Sequence, residues 1–258
     1  MEKIPTRAHA LLKASSAVRW INCPPSARLE DEYEDESSEY AKEGTVAHAL
    51  AALQLKQALN LVTEEEYNNE LNSIKGITQQ LKTKVKTIFK EEMFDYVGEY
   101  VDLVMDLYNE EKSKYGDEVK IYIEKLVWFD HIAPEGFGTC DCGIVSPEKY
   151  IVIDFKYGRG VGVSAEKNPQ LLLYGFGFMK ENGDEVGERL LETYISQPRS
   201  RFKTFSEDEY LPTRLKYWKG VLKKAAMIAY VGEGEKNCGD WCRFCNHKED
   251  CEEYNQWN

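Results

Sequence analysis

The segment from Tyr150 to Gly158 restricts the possible folds more than any other part of the chain. It runs Tyr-Ile-Val-Ile-Asp-Phe-Lys-Tyr-Gly, an apolar strand that carries charge at Asp154 and Lys156. Side chains alternate along a strand, so these two point one way while Ile151, Ile153 and Phe155 point the other. Burying an acid and a lysine beside an apolar stripe is costly unless something pairs with them. A chain holding such a strand is expected to build a sheet with a polar site let into one face.

The residues just before it sharpen the expectation. Phe137 to Val145 reads as a second strand, and Ser146-Pro147-Glu148-Lys149 as the turn between the two, because Pro pre-sets a turn dihedral and Ser favours the first position. In a hairpin closed by that turn, Val145 faces Tyr150. Counting outward then puts Asp141 opposite Asp154, with Cβ atoms about 5 Å apart. Two carboxylates so placed repel unless one is protonated or a cation sits between them. Hard divalent cations take carboxylate oxygens, so the pattern predicts a Mg²⁺ or Mn²⁺ site with Lys156 two residues from one ligand.

Asp141 followed by Asp154 and Lys156 on the next strand resembles the PD-(D/E)xK nuclease superfamily. Further segments resemble its RecB-like branch, which includes the Cas4 and AddB nucleases. Gly44 to His48 is similar to that branch's early histidine motif, and Gln170 to Tyr174 to the Q-x-x-x-Y motif after its lysine. Cys23 near the start, with Cys242, Cys245 and Cys251 near the end, matches the branch's iron–sulfur cysteines. The chain is also similar to a phage- and prophage-associated family of unknown function, DUF2800, through Asn22 to Arg28 and Trp241 to Cys245. An ordered set of motifs is far more specific than Asp-x-Lys alone.

The resemblance implies an α/β fold, a restriction-endonuclease-like core with a central mixed sheet flanked by helices. It implies a metal-dependent DNA nuclease, an exonuclease working on DNA ends or single strands in phage replication or recombination. His48, Asp141, Asp154 and the Phe155 carbonyl would hold Mg²⁺ or Mn²⁺. Lys156 would orient or deprotonate a water, or stabilise developing charge, with Gln170 and Tyr174 contacting DNA or supporting it. Cys23, Cys242, Cys245 and Cys251 would carry a structural [4Fe-4S] cluster. Chemically the same tetrad also suits zinc, and Cys238 is a substitute ligand. The implied partner is DNA, with a single-strand-binding or annealing protein beside it. A catalytically silent DNA-binding or adaptor module of the same fold is the alternative, and a zinc-stapled interaction protein a further one.

Seven cysteines in 258 residues favour metal binding over disulfides in a chain with no apolar signal core or membrane-length apolar run, which implies a cytoplasmic location. A net charge of −12 argues against a general DNA-coating surface. Acid runs such as Glu30 to Glu36 read as solvated surface. Basic residues cluster at Lys82, Lys84, Lys86 and Lys90, and Arg159, Arg199, Arg201 and Lys203 are candidates for phosphate contact. Glu124 reads equally as a surface acid or an outer metal ligand. Cys140 and Cys142, flanking Asp141, read as small core residues on the opposite strand face. The glycine-rich stretch from Gly158 to Gly162 lacks the ending of a P-loop and reads as a loop beside the scissile phosphate.

A single domain is expected, with N-terminal helices (1–60), a helical insertion (61–117), a core (118–235) and a cysteine tail (236–258). Ser15 or Ser16 is expected to cap a short helix leading to Cys23, and Thr45 to cap a helix from Val46 to Leu59. A three-and-four periodicity from Ile77 to Tyr108 predicts a long helix with breaks at glycines. Strands are expected at 120–128 and 190–195. Asn168 before Pro169 starts a helix to about Glu181. Ser206 is expected to cap a last helix, Glu207 to about Tyr230, ended by Gly232 and Gly234.

Overall fold

The computed structural model describes residues 4–33, 39–80, 85–184 and 187–257. A 3₁₀ turn leads into two short helices, α1 (Ala17–Asn22) and α2 (Ser26–Glu30), then α3 (Glu39–Ala58) and α4 (Glu64–Lys75). A small hairpin, β1 (Thr78–Gln80) and β2 (Val85–Thr87), precedes the long α5 (Met93–Tyr115). The central sheet follows as β3 (Lys120–Trp128), β4 (Phe137–Val145), β5 (Lys149–Phe155), β6 (Leu190–Ser196) and β7 (Phe205–Tyr210), with α6 (Pro169–Glu181) between β5 and β6. Helix α7 (Pro212–Val231), two 3₁₀ turns and α8 (Glu252–Trp257) close the chain.

The five strands lie side by side in chain order. Only β5 and β6 run parallel, because α6 carries the chain back across the sheet between them. The sheet parts two apolar layers. On one side α3 and α5 pack on Ile144, Ile151, Ile153 and Phe155. On the other α6 and α7, with Trp20 of α1, pack on Val145, Tyr150 and Val152. The alternation of β5 thus serves both layers, as its sequence requires. No helix among the described residues is long and apolar enough to cross a membrane.

The hairpin register is the expected one, from Val145 opposite Tyr150 to Cys142 opposite Ile153. Helix α6 begins at Pro169, with the Asn168 side chain accepting from the Gln170 N–H. It is buried through most of its length and lies close on the sheet. A Cβ on Gly177 would meet Val127 at 2.2 Å, and one on Gly143 would meet the Phe178 ring at 2.3 Å. Those two glycines let the helix descend far enough for Gln170 to reach the end of β5.

Four sequence expectations about the elements fail. Ser16 precedes α1, but its hydroxyl donates to the Lys13 carbonyl and caps nothing. Thr45 sits inside α3, where its hydroxyl donates to the Ala41 carbonyl, so it caps nothing; that helix starts seven residues earlier than expected. The periodicity from Ile77 to Tyr108 is interrupted by the β1–β2 hairpin, and helix resumes only at Met93; Leu81, Lys82 and Lys84 lie outside the described residues. Ser206 belongs to strand β7 and its hydroxyl accepts from the Ala165 N–H. Ser206 and Tyr210 face inward at period two, and the last helix starts at Pro212, a residue suited to the first helical turn.

The tail returns to the N-terminal helices. Arg19 of α1 pairs with Glu30 at 2.6 Å and donates to the Trp241 carbonyl, and Glu30 accepts from the Asn246 N–H at 3.0 Å. Tyr33 donates to Asp250 at 2.5 Å and contacts His247, and Arg28 donates to the Tyr230 carbonyl at the end of α7. These contacts bring Cys23 to the cysteine-rich tail.

Candidate metal centre

His48, Glu124 and Asp141 offer one ligand atom each within 4.8 Å of one another. Ten residues into α3, His48 turns toward the sheet, its ring against Phe155 at 5.3 Å. Its Nδ1 lies 3.3 Å from Asp141 Oδ1 and 3.9 Å from Glu124 Oε1. The other Asp141 oxygen accepts from the Phe155 N–H at 2.7 Å. Asp141 therefore extends the β4–β5 ladder by one step with a side chain, leaving one oxygen aimed at His48. The Phe155 ring is buried, stacked at 4.8 Å on Tyr100 of α5.

Asp154 is 3% exposed and held by two neighbours. The Lys156 ammonium lies 2.9 Å from Oδ2 and 3.2 Å from Oδ1. Gln170 Nε2 donates to Oδ1 at 2.7 Å while its Oε1 accepts from Lys156 at 3.2 Å. One amide thus fixes both charged groups, which accounts for the cost of burying them. Tyr174, one turn further along α6, is buried with its ring edge-on to Phe129 at 6.2 Å. It supports the packing under Gln170; burial holds its phenol neutral, well above the ordinary value.

The electrostatics are those of an acid-rich pocket that attracts cations. Burial pulls His48 down, yet Asp141, Asp154 and Glu124 outweigh it and raise it to about 9. Burial pushes Asp154 up to about 6, with Asp141 adding and Lys156 opposing. Burial and the Asp141 charge raise Glu124 to about 7 against the pull of His48. Asp141 resists its own burial because His48, Lys156 and the Phe155 N–H hold it below the usual carboxylate range. An imidazole nitrogen and carboxylate oxygens converging in this way suit Mg²⁺ or Mn²⁺.

Backbone geometry places Glu124 in this group. With strict alternation it would share the face of Tyr122, which stacks on Phe178 of α6. Instead Glu124 has φ of 48°, a left-handed conformation unusual for a residue other than glycine, and its carboxylate comes to the α3 side. Beyond it the faces exchange: Lys125 pairs with Glu181 of α6 and Val127 lies under Gly177. The paired strand follows. Cys142 packs with the α3 and α5 layer and Cys140 with the α6 layer, which corrects the expectation that both share one face. Nothing in the sequence marks this switch, since Glu124 sits in an otherwise ordinary strand.

The basic candidates divide. Arg159, Arg201 and Lys203 are exposed. Arg199, expected to reach a DNA backbone, is turned inward instead, with 6% of its side chain exposed. It pairs with Glu43 of α3 at 3.3 Å and Glu92 at 3.8 Å, and lies 4.1 Å over the Tyr157 ring. Gln197, also buried, donates to the Gly158 and Val161 carbonyls and accepts from the Val163 N–H. These two residues tie the glycine-rich loop and α3 to the end of β6, and sequence patterns gave no sign of either role.

At the other end of the N-terminal helices, Cys23, Cys238, Cys242, Cys245 and Cys251 line one cavity with Arg19 and His247. All are free thiols. Burial raises Cys23, and burial together with Cys242 raises Cys238 to about 12. Across residues 9–258 the sequence matches the family described as "Protein of unknown function (DUF2800)", and the chain belongs to that family.

Proposed function

We propose that this protein is a metal-dependent DNA nuclease acting on DNA ends or single strands, with a restriction-endonuclease-like core and a structural [4Fe-4S] cluster in its tail. The observation that carries the reading is the Asp154, Lys156 and Gln170 triangle beside His48, Glu124 and Asp141 at one end of the sheet. A bound Mg²⁺ or Mn²⁺, held by His48, Asp141, Asp154 and the Phe155 carbonyl, would lower the pKa of a water and neutralise phosphate charge. Glu124 is placed to join them or to orient a water. Lys156 faces burial, which disfavours its charge, but Asp154 and Asp141 raise it above the ordinary lysine value. It therefore stays an ammonium, suited to orient the nucleophile and stabilise developing negative charge. Gln170 holds Lys156 at that distance. Phosphodiester hydrolysis needs no electron transfer, so the cluster's part is to staple the tail to α1 and α2.

The long separation of Cys23 from Cys242, Cys245 and Cys251 favours the cluster over zinc, by resemblance to the iron–sulfur nucleases.

The test is digestion of end-labelled linear and closed circular DNA with Mn²⁺, Mg²⁺ or EDTA, using protein purified without oxygen, with Asp154→Ala and Lys156→Ala alongside. Metal-dependent loss of linear DNA, absent in both variants, is expected. Cutting of circles moves the reading to an endonuclease; no cleavage by folded, cluster-loaded protein sinks it and leaves a DNA-binding module. A brown protein with iron, sulfide and absorbance at about 400 nm is expected; a colourless zinc protein overturns the cluster.

A further inference from the structure

We propose that the exposed face of α7 is a binding surface for a single-stranded stretch of nucleic acid, the part of the substrate that leads to the metal centre; this rests on the nuclease reading above. The chain carries 45 acidic and 33 basic residues, yet α7 holds Arg214, Lys216, Lys219, Lys223 and Lys224 with no Asp or Glu. Its outward stripe at helical spacing is Lys216, Tyr217, Gly220, Lys223, Lys224 and Met227. Tyr217 is 66% and Met227 53% exposed. Arg214 is bound to Asp208 at 2.7 Å, whereas Lys216, Lys223 and Lys224 form no ion pair among the described residues. Lysines without counter-charges interleaved with an exposed aromatic ring are the combination that tracks a phosphate backbone and stacks a base.

The neighbouring elements extend the same field. Lys180 at the end of α6, with Lys219 and Lys223 of α7, surrounds His131 on the β3–β4 connection. The His131 Nδ1 is buried with no hydrogen-bond partner among the described residues. Burial and those three lysines, partly offset by Asp130, lower it to about 4; Lys180 itself pairs with Asp130 at 2.7 Å. The patch is on the same side of the sheet as Gln170. Ten residues of α6 separate Gln170 from Lys180, about 15 Å at 1.5 Å per residue. Lys216 to Lys224 spans a further 12 Å or so. Lys219 and Lys223 thus meet the far end of α6, and a strand leaving α7 there has about 15 Å of α6 to follow to Gln170.

The experiment is anisotropy titration of the full chain in EDTA with a labelled single strand of about 30 nucleotides, over a series of salt concentrations. Replacing Lys216→Glu, Lys223→Glu and Lys224→Glu together is expected to weaken binding at least tenfold. It also makes log Kd against log salt shallower by about two, since each phosphate contact on a single strand contributes about 0.7. A control with the same charge change elsewhere, Lys75→Glu, Lys112→Glu and Lys120→Glu, stays within about twofold of the parent, and circular dichroism confirms that both variants fold. Tyr217→Ala costs about fivefold or more on the strand and little on a duplex. Equal binding by the patch and control variants overturns the proposal. So does competition by polyglutamate as effective as unlabelled strand, which assigns the face to an acidic protein. Unaltered strand binding through α7 by a protein that cuts nothing with Mn²⁺ sinks the nuclease reading alone.

Discussion

Replacing Asp141 with Asn tests the metal centre without requiring any activity. The amide keeps an oxygen for the Phe155 N–H, now 2.7 Å from Asp141, so the ladder extension survives while the charge beside His48 is lost. His48 holds a proton to about 9, raised from 6.5, against a burial penalty, chiefly because Asp141 lies 3.3 Å away. Removing one opposite charge at that range lowers such a group by about one to three pH units. The same interaction has a sign in stability. Below pH 6.5 His48 is protonated in both folded and unfolded chains and the pairing is fully present. Between 6.5 and about 9 only the folded chain keeps the proton, so stability falls as pH rises, by up to about 3 kcal/mol. Four histidines make the assay tractable: titration of the imidazole resonances by NMR in chelator-treated protein, with His48→Gln for assignment, and denaturant midpoints at pH 6.5 and 9. Wild type should show one histidine titrating near 9 and a drop in midpoint. Asp141→Asn should bring that titration down and flatten the drop, and Mn²⁺ should broaden that histidine first. A wild-type His48 that titrates below 7 refutes the placement of Asp141 as its partner.

Arg199→Ala should cost about 3 kcal/mol of unfolding free energy, because Glu43 stays largely buried with only Lys90 beside it and the stack on Tyr157 is lost. A thermal midpoint no lower than that of exposed Arg201→Ala contradicts the inward clamp. Gln170→Ala should lower nuclease turnover about tenfold to a hundredfold by releasing both Asp154 and Lys156; single-turnover rates at saturating DNA decide it, and unchanged rates remove Gln170 from the site. Mn²⁺ affinity should rise with pH from about 6 to about 9, as Asp154 at about 6, Glu124 at about 7 and His48 at about 9 give up their protons. Calorimetric titration that finds pH-independent affinity argues against these carboxylates as ligands.

Much of the site was legible because its signals are local. A Ser-Pro turn between two apolar strands fixes which residues oppose each other, so Asp141 and Asp154 could be paired by counting. Asn168 before Pro169 fixes the start of α6, and with it the face that carries Gln170 and Tyr174. Glu124 was readable as an acid on the neighbouring strand, though its conformation was not. Arg199 was misread since charge clusters in a sequence look alike whether they meet solvent or a buried acid. Thr45 and Ser206 were misread for a related reason: a hydroxyl residue signals a cap only where the backbone before it is free to leave the helix or strand.

The sequence by itself determined the sheet's two-sided core and the hairpin register, because alternation and turn chemistry act between near neighbours. Tertiary structure decided that His48 faces the sheet from mid-helix, that the strands exchange faces at Glu124, and that Arg199 and Gln197 serve as internal ties. Those outcomes depend on what α3, α5 and α6 press against the sheet from far along the chain. Burial of that kind is a property of packed elements, and local periodicity carries no record of it.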